Sequence, residues 1–155
     1  MTYPVSFAKR LPFAHADQPL LFVTLRGGGS EAKFEAQLDS GCSMTIFCGE
    51  DLRSLGWQEL PSGHAKIESF TTASGAEILA SPLDVELELE SGDHFEITIF
   101  GSHSLLNRNL LGRDLFTRGM FGFDLARQRL FLSSFRDLDL AAIFLSDDNQ
   151  AGSVA

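Results

Sequence analysis

The chain has 155 residues, 44% of them hydrophobic, which is the length of one ordinary domain with enough apolar side chain for a full core. Its formal net charge is −9, with 12 Lys and Arg scattered among 21 Asp and Glu, so neither a nucleic-acid backbone nor an anionic membrane is an expected partner. No apolar stretch approaches the roughly 18 residues a membrane helix needs, and Met1 to Pro12 lacks the apolar core of a secretory signal. Cys42 and Cys48 are the only cysteines, a usage that fits reduced thiols and a cytoplasmic protein.

Short strands with turn punctuation dominate the chain. Leu20 to Leu25 reads as a strand that Gly27-Gly28-Gly29 breaks, and Lys33 to Leu38 reads as its return. After Asp39-Ser40-Gly41, Thr45 to Phe47 is a short apolar strand. Glu50 to Leu55 has the pattern of one or two helical turns, ended by Gly56. The clearest alternation is Leu83 to Glu90: Leu83, Val85, Leu87 and Leu89 face one way, and Asp84, Glu86, Glu88 and Glu90 the other. Ser91-Gly92-Asp93 is a hairpin turn, and Phe95, Ile97 and Ile99 carry the buried face into the next strand. Much of the negative charge is therefore expected on the solvated face of a hairpin. Leu110-Leu111, Gly112 and Arg113 to Phe116 read as strand, break and short helix; Phe121 to Asp124 and Arg129 to Leu132 read as a last hairpin. The expected fold class is all-β with one or two short helices, too poor in helix for a βαβ fold. The expected organisation is an N-terminal segment 1–18, a domain 19–132 and a partly disordered tail 133–155.

Asp39-Ser40-Gly41 is the segment with the most chemistry. It occurs once, delivered by one apolar strand and followed by another. Taken alone it is also an ordinary turn signal, and Ser-Gly recurs at Ser62-Gly63, Ser74-Gly75 and Ser91-Gly92. A single carboxylate is a poor catalyst of amide hydrolysis. Two of them roughly 3 Å apart repel by about 5 kcal/mol at an effective dielectric near 20, or roughly 4 pKa units, and so share one proton. The ionised member then takes a proton from water while the protonated member polarises the scissile carbonyl. With one triplet per chain, the second acid has to come from a second copy. In that scheme Ser40 Oγ bonds across the pair, Gly41 leaves room for a substrate backbone, and Leu38 and Ile46 anchor the flanking strands.

Ala36 to Ile46, with Asp39-Ser40-Gly41 inside it, resembles the catalytic strand-turn-strand of retropepsin-like aspartic proteases. Some seventy residues on, Leu110-Leu111-Gly112-Arg113-Asp114 resembles their second signature, an apolar pair before Gly-Arg-Asp or Gly-Arg-Asn. Asp124-Leu125 with Arg129 to Leu132 is similar to their closing strand region. The likeness is strongest to cellular members such as the domain of DNA-damage-inducible ubiquitin-shuttle proteins, which share the Asp-Ser-Gly form and the Met-Thr-Ile that follows. It spans roughly Pro19 to Leu132.

The resemblance implies a closed barrel-like half that pairs about a two-fold axis, each copy giving one catalytic Asp39 supported by Ser40 and Gly41. It also implies a flap folding over the cleft, for which the candidate is Phe70 to Ile78. Cys42 and Ser43, together with Thr72, Ala73, Ser74 and Gly75 at the flap, would then meet an extended peptide by strand addition. Gly112, Arg113 and Asp114 form the second motif. Three departures stand out. Cys42 replaces a common Ala. Ser43 stands where retroviral members carry an acid that pairs with the Arg, which leaves Arg113 to find Asp114 or a tail carboxylate. Tyr3 is the only tyrosine, so the flap has none.

Other chemistry is weakly signalled. His15, His64, His94 and His103 lack metal-ligand spacing, and no metal or cofactor is expected. A Cys42 thiol nucleophile is disfavoured by its acidic neighbours, which raise a thiol pKa. The expected function is a cytoplasmic homodimeric aspartic endopeptidase acting on protein or peptide. The alternative is a catalytically silent domain of the same fold that binds peptides or dimerises.

Overall fold

Strand pairing explains why residues far apart in sequence meet at one end of this molecule. The structure, a computed structural model, describes residues 9–14 and 18–134. Ten strands run in chain order: β1 (Lys9–Pro12), β2 (Leu20–Gly27), β3 (Ser30–Leu38), β4 (Ile46–Cys48), β5 (Glu68–Thr71), β6 (Glu77–Leu89), β7 (His94–Ser102), β8 (Asn109–Leu111), β9 (Gly119–Asp124) and β10 (Arg129–Ser134). A 3-10 helix, Gly49–Leu55, follows β4, and a one-turn helix α1, Arg113–Phe116, follows β8. The order β2-β3-β8-β4-β7-β6, with β6 bonding back to β2, closes a six-stranded barrel; β5 continues the sheet outside it. Strands β1, β10 and β9 form a separate three-stranded sheet.

The local signals read from sequence produce the elements they suggest. Gly28 and Gly29 both take positive φ, 57° and 76°, and join β2 to β3 in the two-residue turn that suits the twist of a hairpin. The alternation of β6 and β7 sends Val85, Leu87, Leu89, Ile97 and Ile99 into the core, where they meet Leu21, Val23, Leu25, Phe47 and Leu111. Fully burying such side chains stabilises by roughly 1.5–3 kcal/mol each. The helix expected at Glu50 to Leu55 is the 3-10 helix, stopped by Gly56 at φ 96°, and it buries Leu52 and Leu55. Strand β4 is offset by one residue from the expected Thr45 to Phe47. Thr45 lies just outside it and uses its backbone differently, as described below.

Two features carried no signal in the sequence. Strand β1 pairs antiparallel with β10 and brings Leu11 to the core beside Leu130 and Leu132. The acidic face of the β6–β7 hairpin is not simply solvated, because β2 pairs with β6 and places Arg26 opposite Glu86. Its guanidinium contacts Glu31 at 2.9 Å, Glu86 at 3.0 Å and Glu88 at 2.8 Å. Hydrogen bonds from these three acids, Glu88 first, hold Arg26 above the ordinary guanidinium value. The tail expected from residue 133 lies outside the described residues beyond the end of β10. Among the described residues, no helix is long and apolar enough to cross a membrane and no cluster of three metal-ligating side chains occurs.

Candidate functional site

Strands β3 and β8 run parallel with Ala36 opposite Asn109, Gln37 opposite Leu110 and Leu38 opposite Leu111. That register carries the chain leaving β3, at Asp39, to the same barrel end as the chain leaving β8, at Gly112. The Asp39 N–H donates to the Leu111 carbonyl at 2.9 Å, which ties the acid turn to the second motif. Within the turn, the Gly41 N–H donates to Asp39 Oδ1 at 2.9 Å and the Cys42 N–H to the Asp39 carbonyl at 3.2 Å. One carboxylate oxygen is thus oriented by the backbone, and no hydrogen bond engages Oδ2 among the described residues. Leu38 and Ile46 on either side are buried.

The second motif lies behind this turn as a brace. A Cβ on Gly112 would stand 2.5 Å from the Met44 carbonyl carbon and 2.9 Å from the Cys42 carbonyl oxygen, so only glycine fits. The Arg113 N–H donates to the Cys42 carbonyl at 2.9 Å. The Asp114 carboxylate accepts the Thr45 N–H at 2.9 Å, the Thr45 hydroxyl at 2.8 Å and the Leu115 N–H at 2.8 Å. Thr45, fully buried, in turn accepts the Gly112 N–H at 3.1 Å. Asp114 is therefore committed to Thr45 and not to Arg113. The Arg113 side chain is exposed and forms no ion pair among the described residues; a tail carboxylate as its partner falls outside them.

A cleft of about 620 Å³ opens over the turn. Asp39, Gly41, Cys42 and Ser43 form one side, and Ser69, Phe70, Thr71, Thr72, Ala73 and Ile78 of the β5–β6 hairpin form the other. Ile46, Leu106 and Leu110 complete it. Asp39 is the only ionisable carboxylate among these residues. The apolar part of the cleft is built by a second small cluster in which Ile46, Ala80 and Phe100 are buried and Phe70, Ile78, Leu106 and Leu110 are partly so, and Ser43, Ser69, Thr71 and Thr72 add neutral polar groups. The hairpin turn is held by Thr72: its N–H donates to the Ala76 carbonyl at 2.9 Å, its carbonyl accepts the Gly75 N–H at 2.9 Å, and its hydroxyl accepts the Ala76 N–H at 3.0 Å. Gly75 takes φ 86°, which a side chain would resist.

Of the residues singled out in sequence, Asp39, Gly41, Cys42, Ser43, Thr72 and Ala73 line the cleft together. Ser40 is exposed at the turn and lies outside the lining. Ser74 and Gly75 sit at the exposed hairpin tip, and Gly112, Arg113 and Asp114 stand behind the cleft. Sequence reasoning missed Ser69 and Leu106 as cleft residues. Leu106 lies in a polar loop with no periodicity, and only the return of that loop past β8 reveals it. Burial, joined by the nearby Asp39 and Asp114 charges, pushes the Cys42 thiol up, and its Sγ donates to the Met44 carbonyl at 3.0 Å. A thiol so held is a poor nucleophile.

The backbone as a whole superposes on a retropepsin-like aspartic protease from Rickettsia conorii with a TM-score of 0.56, covering 80% of this chain and 88% of that one at 21% identity. The fold is retropepsin-like. EIAV protease, solved with the inhibitor HBY-793, also aligns, with a TM-score of 0.49 over 69% of this chain and 92% of that one at 15% identity. No family model matches the sequence, and no curated protein does. In this retropepsin-like barrel the parallel β3–β8 pair, with β4 next to β8, seats Asp39, and the described residues supply one cleft-lining carboxylate.

Proposed function

We propose that this chain is an aspartic endopeptidase that works as a homodimer, each copy contributing Asp39. The observation that carries the reading is Asp39 itself: on a retropepsin-like fold, its carboxylate lines a cleft with no other carboxylate in its lining, with Oδ1 anchored by Gly41 and Oδ2 unengaged among the described residues. Two such acids, face to face across a two-fold axis, share one proton. The ionised Asp39 takes a proton from water as the water oxygen bonds to the scissile carbonyl carbon. The protonated Asp39 donates to the carbonyl oxygen, giving a tetrahedral diol. Collapse breaks the C–N bond, the nitrogen taking a proton from the protonated Asp39 while one diol hydroxyl gives its proton to the ionised Asp39, and leaves a carboxylic acid, an amine and the dyad with its one proton. Ser40 braces the two turns. Cys42 and Ser43 on the floor, and Thr72 to Gly75 on the flap, meet an extended peptide through backbone bonds. Gly112, Arg113 and Asp114 keep the floor rigid. Both cysteines are unpaired, which supports a reducing, cytoplasmic setting.

The test compares wild type with Asp39→Asn against a diverse peptide library at about pH 4–6, the range in which a shared-proton pair functions. Wild type is expected to cleave and Asp39→Asn to lose about 1,000-fold or more in kcat/KM while sedimenting as the same dimer. Wild type that binds peptides without turnover under these conditions would replace the protease reading with a binding one.

A further inference from the structure

A polar cluster outside the cleft joins the two sides of it. Ser81, on β6 three residues beyond Ile78, is fully buried. Its hydroxyl lies 2.6 Å from His103 Nε2 and accepts the Leu60 N–H at 3.0 Å. Its carbonyl accepts the Trp57 indole N–H at 3.0 Å. His103 opens the 103–108 loop between β7 and β8, and its backbone N–H donates to the Leu79 carbonyl at 2.8 Å. Its ring packs edge-on against Trp57, and Nδ1 stands 3.5 Å from Glu59 Oε1. His103, in the loop that carries Leu106 into the cleft wall, thus meets the segment leading into the flap (Glu59) and the outgoing flap strand through its ring (Ser81) and its backbone N–H (Leu79).

The geometry points to His103 as a positioning residue that couples the flap to the cleft wall. In the neutral ring only one nitrogen donates. With that proton on Nδ1, Nε2 accepts the Ser81 hydroxyl, and the 3.5 Å gap to Glu59 is long for a hydrogen bond. The other charge beside the cluster is Arg53, stacked on Trp57 at 5.6 Å and already bonded through two nitrogens to Glu50. The neighbouring β6 and β7 residues, Leu79, Ser81, Gly101 and Ser102, carry none. The consequence for substrate capture rests on the protease reading; the mechanical coupling does not.

Hydrogen exchange followed by mass spectrometry on the full chain tests the coupling without any need for turnover. Exchange is read at the flap amides from Phe70 to Ile78. His103→Ala is expected to raise flap exchange by about 2- to 10-fold, the range of one lost hydrogen bond, while the distant Ser91–Asp93 turn stays unchanged. His103→Gln, which can still reach Ser81, is expected to restore flap protection. If the enzyme also turns over, His103→Ala raises KM more than it lowers kcat. Flap exchange at wild-type level in His103→Ala would overturn the inference, as would equal loosening of the flap and the distant turn.

Discussion

Thr45 and Asp114 stand 69 residues apart in sequence and close one bidentate contact, the Asp114 carboxylate accepting both the N–H and the hydroxyl of Thr45. Because Thr45 Oγ1 also accepts the Gly112 N–H, this side chain links the strand after the acid turn to the second motif. Thr45→Val keeps the shape but leaves the Gly112 N–H unpaired in a buried site. The expected loss is about 1–3 kcal/mol in urea unfolding. Asp114→Ala, which strands three donors, is expected to cost more than Thr45→Val, and Asp114→Asn less than Asp114→Ala.

Gly112→Ala is expected to be worse tolerated than its small volume suggests. The new methyl would meet backbone atoms of Met44 and Cys42, which cannot rotate away. Overpacking of this kind costs about 1–3 kcal/mol, and here the displaced backbone is the floor of the cleft. Unfolding midpoints should fall, and peptide affinity should fall with them. A variant with wild-type stability would show that the floor has slack.

Cys42 gives a pH-dependent prediction with a definite sign. Burial and the Asp39 carboxylate raise its folded pKa, so the native state holds the thiol proton more tightly than the unfolded chain does. Stability from this group is complete below the ordinary thiol range, near pH 8.5, and is lost as pH rises toward the folded value. Cys42→Ser should remove that alkaline decline. Alkylation of native Cys42 at pH 8 should be slower than that of a free thiol. Asp39→Asn should speed it, since a negative neighbour is gone.

Arg26 bridges Glu31, Glu86 and Glu88, yet its side chain is 37% exposed. Solvent screens such pairs, so Arg26→Met is expected to lower the urea unfolding midpoint only slightly at low salt and less in high salt. A salt-independent penalty would mean that packing of the Arg26 stem carries the effect.

What could be read along the chain is what local physics dictates. Period-2 burial in Leu83 to Leu89 and Phe95 to Ile99 needs only the pleat of a strand, and Gly28-Gly29, Gly56 and Gly75 mark turns because their backbones take positive φ. Asp39-Ser40-Gly41 stood out because an acid on a turn between apolar strands is itself a local pattern.

Tertiary structure decided the rest, because it depends on strands that pair across long separations. The parallel β3–β8 register seats Asp39 beside Leu111 and gives Asp114 to Thr45 rather than Arg113, and no local pattern encodes a parallel pairing over seventy residues. Closure of β6 onto β2 put Arg26 among acids that had looked solvated. The return of the 103–108 loop brought Leu106 to the cleft and His103 to Ser81, contacts made by side chains with no periodic partner.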